Sequence, residues 1–202
     1  MPLGIMLKVA ITGNIASGKS EAEKIIQSIG YPVFDTDVIN KDILENNQEI
    51  VEEIKSAFFS YDITDQYGSI DKIKLANVVF NNQHLKLILE NILHRVIWEK
   101  LEEIFKLYSD KNVIFVSVPQ LFEAGWEKRF DKIVFVSADV NTRLMRLIKR
   151  NNYTKEYAQK RIDAQQSEDI KIKKSDFVVF NNSDFSNLKN QITDILNKIV
   201  NL

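Results

Sequence analysis

Short, continuous apolar runs alternate along this chain with longer stretches in which apolar residues recur every three or four positions. Leu7–Thr12 is the first such run and ends at Gly13, the pattern of a strand buried on both faces. Ala22, Ile25, Ile26 and Ile29 then recur at helical spacing, with Gly30 as a helix stop. Tyr31–Phe34 reads as a second short strand running into Asp35-Thr36-Asp37. From Val38 to about Tyr108 helical periodicity takes over, most plainly in Leu85–Leu107, and Tyr61–Ser69 carries turn chemistry. Three further strand-like runs follow: Val113–Val118, Ile133–Ser137 and Phe177–Phe180. A charged helical stretch, Asn141–Gln166, separates the last two, and Leu188, Ile192, Ile195, Leu196 and Ile199 predict a closing amphipathic helix. Strands alternating with helices predict an α/β fold, a parallel sheet with helices on both faces. The pairs Asn46-Asn47, Asn81-Asn82, Asn151-Asn152 and Asn181-Asn182 read as turns.

Composition narrows this picture. At 202 residues the chain can bury a substantial core. Its 27 basic and 28 acidic residues give a formal net charge of −1, so no whole-chain attraction to nucleic acid or an anionic membrane is expected. Any basic site must be local. The absence of cysteine excludes disulfides, thiolate metal sites and a cysteine nucleophile together, and fits a cytoplasmic location. The first residues lack a basic segment followed by a long apolar one, so no signal peptide is read there, and no run is long enough to span a bilayer. Met1–Ile5 is expected to be an extension without a role in the fold.

The sharpest signal is Gly13-Asn14-Ile15-Ala16-Ser17-Gly18-Lys19-Ser20, a complete G-x-x-x-x-G-K-[ST] loop between a buried strand and an amphipathic helix. Glycines at its two ends let the backbone turn so that successive N–H groups face phosphate oxygens. The helix starting near Lys19 adds its positive end, and the Lys19 ammonium reaches the terminal phosphates. The Ser20 hydroxyl suits Mg²⁺. A nucleoside triphosphate with Mg²⁺ is therefore expected at the loop, and for a kinase the expected cofactor is ATP.

A phosphate loop alone does not separate kinases, GTPases and motor ATPases. The nearest string to a guanine-reading motif, Asn40-Lys41-Asp42-Ile43, has its acid misplaced, and Asp65-Gln66-Tyr67-Gly68 reads as a polar turn. The run Val113–Val118 ends in Ser117-Val118-Pro119, without the carboxylate typical of ATPases. A small-metabolite or nucleotide kinase remains. In an extended segment Asp35 and Asp37 face the same way, at the sheet edge where parallel α/β proteins bind ligands. A carboxylate there can accept the proton of an attacking hydroxyl; equally, Asp37 can cap a helix beginning at Val38. Arg143, Arg146 and Arg150 stand at i, i+3 and i+7, a cationic stripe opposite Leu144, Leu147 and Ile148. Such a stripe is either a solvated helix face or a lid that stabilises the charge of a transferring phosphoryl group. Lys155, Lys160 and Arg161 extend it.

Taken together, these motifs resemble the dephospho-CoA kinase family over nearly the whole chain. The resemblance rests on Ile11-Thr12-Gly13 with Ser17-Gly18-Lys19-Ser20, Val33-Phe34-Asp35-Thr36-Asp37, Ile70-Asp71, Leu89-Glu90 with Leu93-His94, Val118-Pro119-Gln120-Leu121-Phe122-Glu123, Arg146 with Arg150, Arg161-Ile162 with Gln165, and Asp176-Phe177-Val178-Val179 with Asn181. It implies a five-stranded parallel core of the nucleoside monophosphate kinase type (residues 6–37, 111–140 and 175–202), a helical CoA-binding insertion (38–110) and a helical lid (141–170). By the same resemblance Asp37 is the base for the ribose 3′-hydroxyl of dephospho-CoA, residues 13–21 bind ATP, and Arg146 is the lid arginine, with Arg150 beside it. No nucleic-acid or membrane partner is expected, and the chain is expected to be a monomer or weak homo-oligomer. Asn14 and Ala16 depart from glycines common in the family loop, tolerable if neither needs a positive φ. Glu21 stands where threonine is usual and places an acid near the α-phosphate. Gln120 and Arg95 replace a leucine and a proline, and His94 reads as a packed structural histidine. A shikimate-type kinase is the main rival, but it needs a Gly-Gly-Gly turn and this chain has no Gly-Gly pair.

Overall fold

In the computed structural model, which describes residues 6–201, each apolar run forms a strand of one parallel sheet. The strands are β1 (Leu7–Gly13), β2 (Val33–Asp35), β3 (Val113–Ser117), β4 (Lys132–Ser137) and β5 (Phe177–Phe180), in the order β2-β3-β1-β4-β5. The central strand sets the register: Leu7 lies opposite Val113 and Ile11 opposite Ser117, while Gly13 lies opposite Val136. Asp35 at the end of β2 is likewise opposite Ser117. The expectation about Met1–Ile5 concerns residues outside the described range.

Two compact units divide the chain: Thr36–Leu107, and the residues before and after it. In the sheet unit, Val9, Ile11, Phe115, Val134, Val136 and Val179 pack with Ala22, Ile25 and Ile26 of α1 (Lys19–Ile29). A C-terminal helix, Phe185–Val200, adds Leu188, Ile192, Ile195, Leu196 and Ile199 to the same cluster. The alternate strand residues Ala10, Ile114, Val116, Ile133 and Phe135 are buried as well, so the period-2 alternation of strand side chains is covered on both sides. Gly30, at φ +108, ends α1 by donating its N–H to the carbonyls of Gln27 and Ile26.

The helical unit holds α2 (Thr36–Asn46), α3 (Gln48–Ala57), α4 (Lys72–Phe80) and α5 (Gln83–Leu107). Asparagine pairs punctuate it, as expected. Asn47 Oδ1 accepts from the Ile50 amide to cap α3, and Asn82 Oδ1 accepts from those of His84 and Leu85 to cap α5. Asp65 folds the polar turn by accepting from the amides of Tyr67 and Ser69, inside a Thr64–Ile70 antiparallel bridge. Helix α5 runs unbroken through position 95. There Arg95 supplies the backbone donor a proline lacks, and its guanidinium joins Glu53 of α3 at 2.6 Å. His94 is half-buried within α5.

The charged helical stretch Asn141–Gln166 holds two helices. α6 (Val140–Asn151) stops at Asn152, whose φ of +53 ends the helix, and α7 (Lys155–Asp163) restarts under the Thr154 hydroxyl, which accepts from the Tyr157 amide. Asparagine tolerates the left-handed conformation and threonine caps helices, so the break was written in residues that periodicity ignores. A further short helix, α8 (Glu168–Lys173), follows, and α9 (Phe185–Val200) closes the chain.

Candidate active site

The phosphate loop leaves the end of β1 and enters the first turn of α1. Both glycines are sterically required. A Cβ on Gly13 would stand 2.6 Å from the Val136 carbonyl oxygen and 2.6 Å from Ser17 Oγ. Gly18, at φ +96, is the N-cap of α1, and a Cβ there would stand 1.9 Å from Asn181 Nδ2. Ala16 also takes a positive φ, +60, so the condition for strain-free replacement of the glycine is not met there; Asn14 does not. Holding a Cβ in that region costs about 1–2 kcal/mol. Its methyl gains packing in return, for Ile15 and Ala16 lie against Leu144, Leu147, Ala158 and Ile162 of α6 and α7.

Side chains from the second half of the chain brace the loop. The Ile15 amide donates to Gln165 Oε1 at 2.8 Å. Arg146 spans from α6, its guanidinium donating to the Ala16 and Ser17 carbonyls at 3.3 and 3.1 Å and to the Asn181 carbonyl at 3.0 Å. Asn181, 6% exposed, donates its amide to the Ser17 carbonyl at 2.8 Å. Asn14 is held at both ends of its side chain: its Nδ2 donates to Glu168 and its Oδ1 accepts from Lys171. Lys171 is 2% exposed, and its ammonium also meets Glu123 at 2.7 Å. Glu168 in turn pairs with Arg143 at 3.1 Å and accepts from the Ser137 hydroxyl. Removing the ammonium would strip partners from the buried Asn14 and from Glu123. Lys171→Met is therefore expected to cost about 2 kcal/mol, a fall of roughly 4–8 °C in a chain this long, read by scanning calorimetry.

The three arginines do not form one solvated stripe, although positions i, i+3 and i+7 lie on one flank of α6. Arg143 is buried with Leu144 and Leu147, its Nε donating to the Ala138 carbonyl. Arg146 reaches the loop, and Arg150 is exposed, with its Nε on Asn151 Oδ1. The helix turns about 100° per residue, so Arg143 lies beside Leu147 rather than opposite it, and the Ala138 carbonyl and Glu168 carboxylate satisfy its guanidinium there. Asp35 and Asp37 do not share an extended face either. The strand ends at Asp35 and α2 begins at Thr36, so Asp37 is exposed within the first helical turn rather than capping a helix at Val38. Glu21 is exposed on α1, 3.7 Å from Lys24.

At the start of α1 the Lys19 ammonium donates to Glu23 Oε1 at 2.7 Å and to Ser117 Oγ at the end of β3. The first amides of the helix, those of Lys19 and Ser20, have no intrahelical acceptor, which suits them to phosphate oxygens. Glu23, Gln165, Glu168, Lys171 and Asn181 were not picked out as site residues in the sequence. Glu168 and Lys171 share α8 while the others lie on separate segments, and only Gln165 and Asn181 stand within family-like strings.

The dephospho-CoA kinase family model matches residues 7–187, which spans both units. The chain belongs to the dephospho-CoA kinase family. A dephospho-CoA kinase of Fusobacterium nucleatum is 40% identical over 186 residues, 92% of this chain and 94% of that one. Among solved structures, a Thermus thermophilus protein superposes with a TM-score of 0.84 at 30% identity, covering 96% of this chain and 98% of its own. Dephospho-CoA kinase from Campylobacter jejuni does so with a TM-score of 0.70 at 29% identity, covering 96% and 97%. As a member of the dephospho-CoA kinase family, the chain is an ATP-dependent phosphotransferase of coenzyme A biosynthesis, and the shikimate-type reading falls away. Among the described residues no helix is long and apolar enough to cross a membrane.

Proposed function

We propose that the chain transfers the γ-phosphoryl group of ATP to the ribose 3′-hydroxyl of dephospho-CoA, with Asp37 as general base. The observation that carries this reading is the complete phosphate loop, whose two glycines are sterically obligatory and whose backbone is clamped from outside by Gln165, Arg146 and Asn181. A loop fixed before nucleotide arrives needs no reorganisation during transfer, which is how preorganised donors lower a barrier. Lys19 and the amides of residues 13–21 would hold the β- and γ-phosphates.

Ser20 would be the protein's ligand to Mg²⁺. Among the described residues no group of three acidic or histidine side chains could cage a metal. That donor set fits an ion that takes most of its ligands from phosphate and water. Bound there, Mg²⁺ supplies charge neutralisation of the phosphates. Arg146 would add positive charge beside the loop, with Arg150 following it, and helices of residues 38–110 would hold the acceptor. Asp37 would accept the hydroxyl proton as the oxygen attacks the γ-phosphorus and ADP departs with the β,γ-bridging oxygen. A cytoplasmic monomer or weak homo-oligomer fits a reaction between two soluble small molecules.

A coupled ADP-release assay offering dephospho-CoA, shikimate and CMP in parallel tests the proposal. Turnover is expected with dephospho-CoA, and no turnover on it would sink the reading.

A further inference from the structure

The family reading leaves one charged group at the loop without a role. Glu23 is 9% exposed, an unusual setting for a carboxylate, and its partner is the ammonium the loop is built to offer to phosphate. The separation is 2.7 Å, with both side chains largely removed from water. The ammonium's second partner is Ser117 Oγ.

We propose that Glu23 is a positioning residue that holds the Lys19 ammonium in a neutralised, parked state, so that nucleotide must displace a carboxylate to bind. The inference rests on the reading of Gly13–Ser20 as the ATP loop. Two arguments support it. First, Glu23 lies four residues, about 6 Å, further along α1 than Lys19, whereas phosphate sits beyond the helix N-terminus. Held by Glu23 and by the Ser117 hydroxyl, the ammonium has two of its three donors committed to protein rather than to phosphate. Second, whatever the lysine's exact direction, a carboxylate at hydrogen-bond distance cancels most of the field that would attract a polyphosphate, and adds like-charge repulsion of its own. Glu23 thereby stabilises the empty loop and weakens the loaded one.

Removing the charge must then move stability and affinity in opposite directions, which a merely structural pair would not do. The test uses the full chain with Glu23→Gln, which keeps the shape, and Glu23→Ala as a second variant. ADP and the β,γ-imido analogue of ATP are the probes, titrated by calorimetry with and without Mg²⁺ and without acceptor. The Kd for both nucleotides is expected to fall about tenfold in Glu23→Gln, with and without Mg²⁺, while the melting temperature of the nucleotide-free protein drops. Asp194→Asn, on the exposed side of α9, removes one negative charge far along the chain and is expected to leave Kd unchanged. An unchanged or weaker Kd in both Glu23 variants overturns the inference. So does a loss of affinity confined to Mg²⁺-nucleotide, which would make the carboxylate a servant of the metal, or an equal gain in Asp194→Asn. If wild type binds neither probe, the reading of the loop fails along with the inference. If wild type binds and neither Glu23 variant gains affinity, the inference alone fails.

Discussion

Asp37→Asn is expected to lower kcat with dephospho-CoA at least about 100-fold while leaving the Kd for ADP within about twofold. An amide keeps the size of the carboxylate and much of its hydrogen bonding but cannot take a proton, so the loss falls on the chemical step. Asp37 is also the acidic residue in the first turn of α2, where a negative charge favours the helix by about 0.3–1 kcal/mol. A 100-fold rate loss corresponds to about 2.7 kcal/mol in the barrier, well above that structural contribution. Steady-state kinetics beside a melting curve therefore separate the two. Near-normal turnover would remove Asp37 as the base; a fall in ADP affinity as large as the fall in kcat would make it structural.

Gly18→Ala carries the second large effect, and it is a loss of folding stability as well as of nucleotide affinity. The new Cβ would be held at φ +96 and would overlap Asn181 Nδ2, 1.9 Å away. The backbone strain is about 1–2 kcal/mol. Pushing Asn181 aside gives up its bond to the Ser17 carbonyl, roughly another 1–3 kcal/mol for a buried group left unpaired. A loss of about 3 kcal/mol is expected, with a fall in melting temperature of roughly 6–12 °C and no measurable ADP binding at concentrations that saturate wild type. A variant that melts like wild type and binds ADP normally would show that the loop tolerates a side chain there.

The parts of this molecule legible in the sequence are those fixed by short-range rules. Phe177–Phe180 forms a strand with the limits its apolar run gives, and Gly30 stops α1 as its position implies. The phosphate loop was legible because its chemistry restricts several adjacent positions at once. The bracing of that loop was not. Lys171 sits in a stretch rich in lysine, Lys171, Lys173 and Lys174, and nothing local distinguishes the buried ammonium from its solvated neighbours. Arg143 was misplaced for a related reason: helical spacing says which residues share a face but not whether a carbonyl and a carboxylate wait on the apolar side to receive a guanidinium. Asn181 reads as a turn residue beside Asn182, and in part it is. Its amide, however, reaches a carbonyl 164 positions earlier in the chain.

That separation has a consequence for the chain as it is made. The phosphate loop leaves the ribosome before its braces, for Arg146, Gln165, Lys171 and Asn181 reach it across 129 to 164 residues. At about 5–20 residues per second of synthesis, the loop is extruded roughly 8–30 seconds before its last brace exists. During that interval a strand, a glycine-rich turn and a helix are present without the side chains that fix their geometry. The geometry of this segment is thus completed only after a much later one, when β5 joins the sheet and brings Asn181 with it.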